Sequence, residues 1–325
     1  MIPYIDMHCD TLMRAYVNKE SDMFNLPELM LDVKRLTKSG ASAQFFAVFM
    51  LPESMRGKMK DAFPKDVDYI KALLAIYEKT LTECGDCIGR CVEFNDYLDN
   101  KKAGRVNALL SVEDGRAVDG DMGRLKWLRS KGVRMMAPLW NYSNCFGFPN
   151  SDDFSIMQKG LTAFGKEAVE EMNKIGMIID VSHLSDGGFW DVATLSKKPF
   201  VASHSNCRAL SPHRRNLTDE MIRALADKGG VMGLNFYGPF LSSDISCMES
   251  RIPQMLAHLK HMMKVGGSDL SAIGTDFDGM EGSFEISECS AMHLLFEAME
   301  RSGFSCEQIE KIAYKNVERV IKETF

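Results

Sequence analysis

Residues 5–12 read IDMHCDTL. A short apolar run, Ile2, Tyr4 and Ile5, leads into His8 and Asp10, two residues apart. In an extended strand, residues i and i+2 share a face, so the spacing predicts an imidazole and a carboxylate converging on one point as the strand ends. A divalent cation takes that pair of donors, a neutral nitrogen and an anionic oxygen. Taken alone, a His-x-Asp at a strand end is more often a hydrogen-bonded surface pair. Its weight comes from further candidate ligands that recur after apolar runs along the chain.

Outward from this stretch, short apolar runs alternate with amphipathic ones. Strands are expected at 43–50 (AQFFAVFM), 106–112 (VNALLSV), 133–137, 177–181 (MIIDV), 199–202 (PFVA), 231–236 (VMGLNF) and 270–274. Helical spacing of apolar residues marks 26–39, 67–82, 122–131, 160–175, 186–196, 219–228 and 252–265. A polar loop with Pro52 and Pro64 follows the second strand, and two helices close the chain, the second opened by the capping box Ser305-x-x-Gln308. Eight strand–helix units predict a (β/α)8 barrel in a single domain, residues 1–325. The open doubly wound alternative lacks a glycine-rich phosphate turn after the first strand. His8, Asp10, Glu113, His183, His204 and Asp276 all fall at or just past strand ends, on the face where barrel active sites are built.

Composition narrows the function. The chain has 325 residues, 45% hydrophobic and 26% charged, ample for a large core. A net charge of −6 argues against a nucleic-acid partner. There is no apolar run long enough to span a membrane and no signal-like N-terminus. Nine scattered cysteines suit reduced thiols and a cytoplasmic protein. Cys84, Cys87 and Cys91 form C-x-x-C-x-x-x-C without an evident fourth ligand, so they read as structural. His213, His258, His261 and His293 lack motif context and read as loop or helix-surface residues.

Three histidines and two acids exceed the needs of one four-coordinate zinc. They suit two ions sharing a bridging carboxylate and a bridging hydroxide, a centre made for hydrolysis.

The ordered set IDMHCDT, SVEDG, DVSH, SHSN, RRN, NFY and GTDFDG resembles the membrane (renal) dipeptidase family of zinc metallopeptidases, as a bacterial-type member. The match runs from Ile5 to the C-terminal helices. The resemblance implies a (β/α)8 barrel, two Zn2+ per chain, hydrolysis of dipeptides including those with a C-terminal D-residue, and a homodimer. It implies that His8 and Asp10 bind one zinc, that His183 and His204 bind the other, and that Glu113 bridges them. Arg215 would pair with the substrate's C-terminal carboxylate, which suits a guanidinium fork. Asp276 would carry the proton, with Asp278 the alternative of the pair, and Tyr237 would line the pocket. Where mammalian members carry a histidine after the fourth strand, this chain has Trp140 in PLWNYSN. An indole offers only an N–H donor, so oxyanion stabilisation would fall to zinc or to a donor such as Asn141. Two rival readings are another metal-dependent amidohydrolase on the same barrel, acting on a cyclic amide, lactone or amine, and a non-catalytic metal-binding relative.

Overall fold

A computed structural model of the chain describes residues 2–56 and 63–325. Part of the loop expected between Pro52 and Pro64 lies outside the described residues. Eight strands form the barrel: β1 (Tyr4–Cys9), β2 (Ala41–Phe49), β3 (Val106–Glu113), β4 (Val133–Ala137), β5 (Ile178–Ile179), β6 (Val201–Ala202), β7 (Val231–Leu234) and β8 (Ser271–Ile273). All pair in parallel, in the order β5-β4-β3-β2-β1-β8-β7-β6. The two ends meet through the bridge between Asp180 and Val201, where Val181 N donates to Val201 O at 2.8 Å. The short strand Ile88–Arg90, which periodicity does not mark, pairs with the lower half of β3 while β4 takes the upper half.

Alternation sorts the strand residues into two cores. Ile5, Met7, Ala43, Phe45, Leu109, Met135, Ile178, Val201, Val231 and Ala272 fill the barrel interior. Their neighbours, such as Phe46, Val48, Leu110, Val112 and Met136, face the helical layer. Val317, Val320 and Ile321 of the helix Asn316–Thr324 join the interior cluster, so this helix seals the end of the barrel away from the ligands. Burying each of these side chains stabilises by about 1.5–3 kcal/mol. Asn316 anchors the helix by donating to Ser271 O at 2.8 Å.

Helix starts follow their caps. Thr162, Ser185, Thr218 and Ser305 each accept from the backbone N–H of the third residue of their helices, each contact stabilising by about 1 kcal/mol. The helix expected over 26–39 is shorter, Val33–Lys38. Asp32 cuts it: one carboxylate oxygen caps Arg35 N at 2.8 Å and the other accepts from Leu26 N at 3.0 Å, fixing the preceding segment as a loop. A polar helix, Phe94–Lys102, escaped periodicity because only Tyr97 and Asn100 of its residues are buried.

His258 corrects the expectation of a surface histidine. It is fully buried, accepting from Cys207 N at 3.1 Å and donating to Leu241 O at 3.0 Å. His261 is partly buried beside Asp219, 2.7 Å away.

Candidate metal centre

The first and last strands bring Asp10 and Asp276, 266 residues apart, into one cluster. Asp276 N donates to His8 O at 3.2 Å, and Asp10 N donates to Phe277 O at 2.8 Å. The pairing of β1 with β8 is thereby carried past the strand ends. Asp278 braces the junction: its carboxylate accepts from Thr11 Oγ1 at 2.6 Å and from Met30 N at 2.7 Å. Asp276 and Asp278 both hold left-handed backbone, φ 66° and 68°, which these contacts secure.

Simple alternation brings His8 and Asp10 to the strand end but does not give their geometry. Ile5 and Met7 point into the barrel, so an unbroken strand would turn His8 away. A register irregularity between Asp6 and Cys9 reorients it. Asp10 lies beyond the strand, at the cap position of the helix Thr11–Val17. Glu113, by contrast, follows Leu109 and Ser111 in regular alternation to the end of β3.

The five expected ligands converge. His8 Nε2 lies 3.4 Å from Glu113 Oε2, 3.7 Å from Asp10 Oδ2 and 3.8 Å from Asp276 Oδ1. On the other side, Glu113 Oε1 is 2.6 Å from His183 Nε2 and 3.4 Å from His204 Nε2, and the two imidazole nitrogens are 3.1 Å apart. All five residues are at least nine-tenths buried. His8 Nε2 and Asp10 Oδ1 have no hydrogen-bond partner although buried. Orphaned buried polar atoms of this kind are costly unless something else satisfies them. Mixed imidazole nitrogen and carboxylate oxygen is the donor chemistry of zinc and related divalent ions. The residues therefore fit a metal. Among the described residues, groups that could hold an ion are His8–Glu113–His204 and His8–Asp10–Asp276; Cys84, Cys87 and Cys91 form none, and Cys84 and Cys91 are buried in different cores.

The three histidines divide: burial works against a charged His8, yet Glu113 and Asp10 hold it well above the ordinary histidine range, while the other two go the opposite way. Burial, with Arg215 nearby, lowers His183 to about 4, and burial with His8 nearby holds His204 well below the ordinary histidine range. Both are neutral, as ligation requires. Burial works against a charged Glu113, yet His8 and His183 beside it hold the carboxyl well below its usual range. Burial raises Asp276 to about 7, opposed by His8 and reinforced by Asp10 and Glu113. Gly279 has no room for a side chain. A Cβ there would overlap Asp10 Oδ2 and sit 2.5 Å from Asp276 Oδ1.

The cluster opens into a cavity of about 1450 Å³, larger than the roughly 300–1,000 Å³ of ordinary ligand pockets. Arg215, Tyr237, Trp140, Asn141 and Asp276 all line it. Arg215 is buried; its Nη1 donates to Ser182 O and, at 3.2 Å, to Ser205 Oγ. Asn235 Nδ2 donates to Asp276 Oδ2 at 3.0 Å. Trp140 stands edge-on to Phe49, ring centroids 5.2 Å apart, and 6.4 Å from His183. Both aspartates of GTDFDG are near the centre, but only Asp276 lines the cavity. His213, read as a plain loop residue, also lines it, packed on Phe240 at 4.5 Å. Asn235 and Gly279 lie inside motifs already singled out, NFY and GTDFDG. Their place in those motifs was the available signal.

Buried imidazoles and carboxylates gathered at the C-terminal mouth of a parallel barrel are an arrangement suited to metal-dependent hydrolysis. The chain belongs to the membrane dipeptidase family, peptidase family M19, which it matches over residues 1–325; it is a metallopeptidase of the dipeptidase type. It is 32% identical over 267 residues to an uncharacterised protein in the pqqA 5′ region of Klebsiella pneumoniae, covering 80% of this chain and 97% of that one. It is 27% identical over 328 residues to the dipeptidase tcpJ of Claviceps purpurea, covering 96% and 74%. Among solved structures it resembles a metallopeptidase from Rhodobacter sphaeroides liganded with a phosphinate mimic of the dipeptide L-Ala-D-Ala. The TM-score is 0.90 at 27% identity, covering 100% of this chain and 99% of that one.

Proposed function

We propose that the protein is a di-zinc dipeptidase acting on free dipeptides, including those with a C-terminal D-residue. One observation carries the reading: Glu113 turns one carboxylate oxygen to His8 and the other to His183 and His204, the disposition of a carboxylate shared by two ions. His8 and Asp10 would hold one ion, His183 and His204 the other. Bound there, the ions would supply an activated water and polarise the scissile carbonyl.

The chain's own residues do the rest. Arg215, at the cavity wall beside His183, reads the substrate's C-terminal carboxylate. Asp276, steadied by Asn235, takes the proton from the attacking water and delivers it to the leaving amine nitrogen as the C–N bond breaks. Trp140, Asn141 and Tyr237 shape the pocket around the substrate, with Asn141 available as a donor to the carbonyl oxygen. The D-residue is favoured by likeness to the Rhodobacter sphaeroides enzyme, whose ligand mimics L-Ala-D-Ala.

We further propose one hydrolase domain over residues 1–325, a homodimer as the working form, and a cytoplasmic location, which nine free cysteines suit. Among the described residues no helix is long and apolar enough to cross a membrane.

The test is a metal-dependent assay on a panel of L-L and L-D dipeptides and their C-terminal amides. Hydrolysis abolished by chelation, restored by zinc and far faster on free acids than amides is expected. Arg215→Lys keeps the charge but loses the fork, so it mainly raises KM. Equal rates on acids and amides would remove Arg215 from the site.

A further inference from the structure

Asp180 opens the DVSH stretch just past β5 and is 2% exposed. Its Oδ1 accepts from Ser182 N at 3.0 Å, Ser182 Oγ at 2.6 Å and Ser203 N at 2.9 Å. Its Oδ2 accepts from Ser203 Oγ. Both serines then reach the same histidine. Ser182 Oγ accepts from His204 N at 3.2 Å, and Ser203 Oγ lies 2.7 Å from His204 Nδ1. Asp180 thus grips His204 twice, at its backbone and at its ring.

The direction of this chain of hydrogen bonds is decided by proton counting. A hydroxyl has one proton to give. Ser203 spends it on Asp180, a carboxylate with none to return, so Ser203 Oγ must accept from His204. The ring proton of His204 therefore sits on Nδ1, and Nε2 presents a lone pair toward Glu113 Oε1 and His183 Nε2, 3.4 and 3.1 Å away. His183 has no such device: its Nδ1 is buried without a partner.

We propose that Asp180 and Ser203 are positioning residues that lock His204 in the Nδ1–H tautomer, keeping Nε2 free to bind a metal. The purpose of the lock rests on the metal reading above, whereas the tautomer itself does not. Asp180→Asn reverses the chain. Its oxygen stays with the two backbone N–H groups, its NH2 donates to Ser203, and Ser203 then donates to Nδ1, driving the proton to Nε2.

The test uses metal-free protein labelled with 15N-histidine, with His204 assigned by substitution and its tautomer read from long-range 1H–15N correlation. The wild type should show Nδ1 protonated, and Asp180→Asn should show Nε2 protonated. Zinc titrated into the same samples should bind one of two equivalents about 10–100-fold more weakly in Asp180→Asn, with the other unchanged. Should that variant not fold, Ser203→Ala and Ser203→Thr carry the test. Thr keeps the hydroxyl and should keep the wild-type tautomer and affinity, while Ala should lose both. A wild-type His204 protonated on Nε2, or Asp180→Asn or Ser203→Ala protein whose tautomer and zinc affinity match the wild type, would overturn the lock. A locked wild type that binds no zinc would instead defeat the metal reading and leave the tautomer assignment standing.

Discussion

Glu113 Oε1 lies 2.6 Å from His183 Nε2, while the other oxygen of the same carboxylate turns toward His8 at 3.4 Å. On the proposed two-ion reading of this carboxylate, elemental analysis of gently purified protein should give about two zinc equivalents. Glu113→Gln replaces one facing oxygen with an amide nitrogen that cannot ligate. It should lower both metal content and rate. A saturating content of one equivalent with full activity would sink the two-ion reading.

The aspartates of GTDFDG separate cleanly by environment. Asp276 faces the cavity, whereas both oxygens of Asp278 are committed to Thr11 and Met30. Asp276→Asn should cut kcat by about 10²–10⁴-fold, the usual contribution of a proton carrier, with both metals retained. Asp278→Asn loses one buried acceptor and should cost about 1–3 kcal/mol of stability, seen as a lower Tm. If Asp278→Asn shows the kinetic defect and Asp276→Asn does not, the two roles are reversed.

Trp140 both packs on Phe49 and lines the cavity. The cavity as a whole is roomy, so selectivity by size must act locally, where the indole stands near His183. Small or apolar dipeptides should be preferred. Trp140→Ala should shift the ranking toward larger side chains, by about 1–3 kcal/mol per misfitting methylene-sized group, with metal content unchanged. A lower Tm with the ranking intact would assign Trp140 to the barrel wall alone.

His258 supplies a pH dependence remote from the centre. Burial lowers it to about 4, and its Nδ1 must stay unprotonated to accept from Cys207 N. The unfolded chain, with an ordinary histidine near 6.5, binds more protons than the folded one between about pH 4 and 6.5. Stability is therefore complete above that window and falls as pH drops through it, by up to about 3 kcal/mol. Denaturant unfolding at pH 7 and pH 5 should show the loss, and His258→Gln should remove about one proton from the slope. Equal slopes in the two proteins would discard this account.

Much of the barrel was legible because parallel strands are buried on both faces and read as apolar runs. The helix Phe94–Lys102 and the strand Ile88–Arg90 were not, since the helix buries few of its side chains and the strand is three residues long. The run over 26–31 looked helical until Asp32 claimed Leu26 N. That bond spans only six residues, but periodicity carries no record of it.

By itself the sequence determined which residues gather: each candidate ligand falls at or just past a strand end, and a parallel barrel presents all such ends on one face. The tertiary structure alone decided how they face one another. His8 points inward through an irregularity in β1 that alternation does not contain, and Asp276 reaches His8 because β8 pairs with β1 from the far end of the chain. Asp180 holds His204 through Ser203, and His258 is buried between Cys207 and Leu241. Hydrogen-bond direction and burial depend on neighbours distant in the chain, and those neighbours meet only once the barrel has closed.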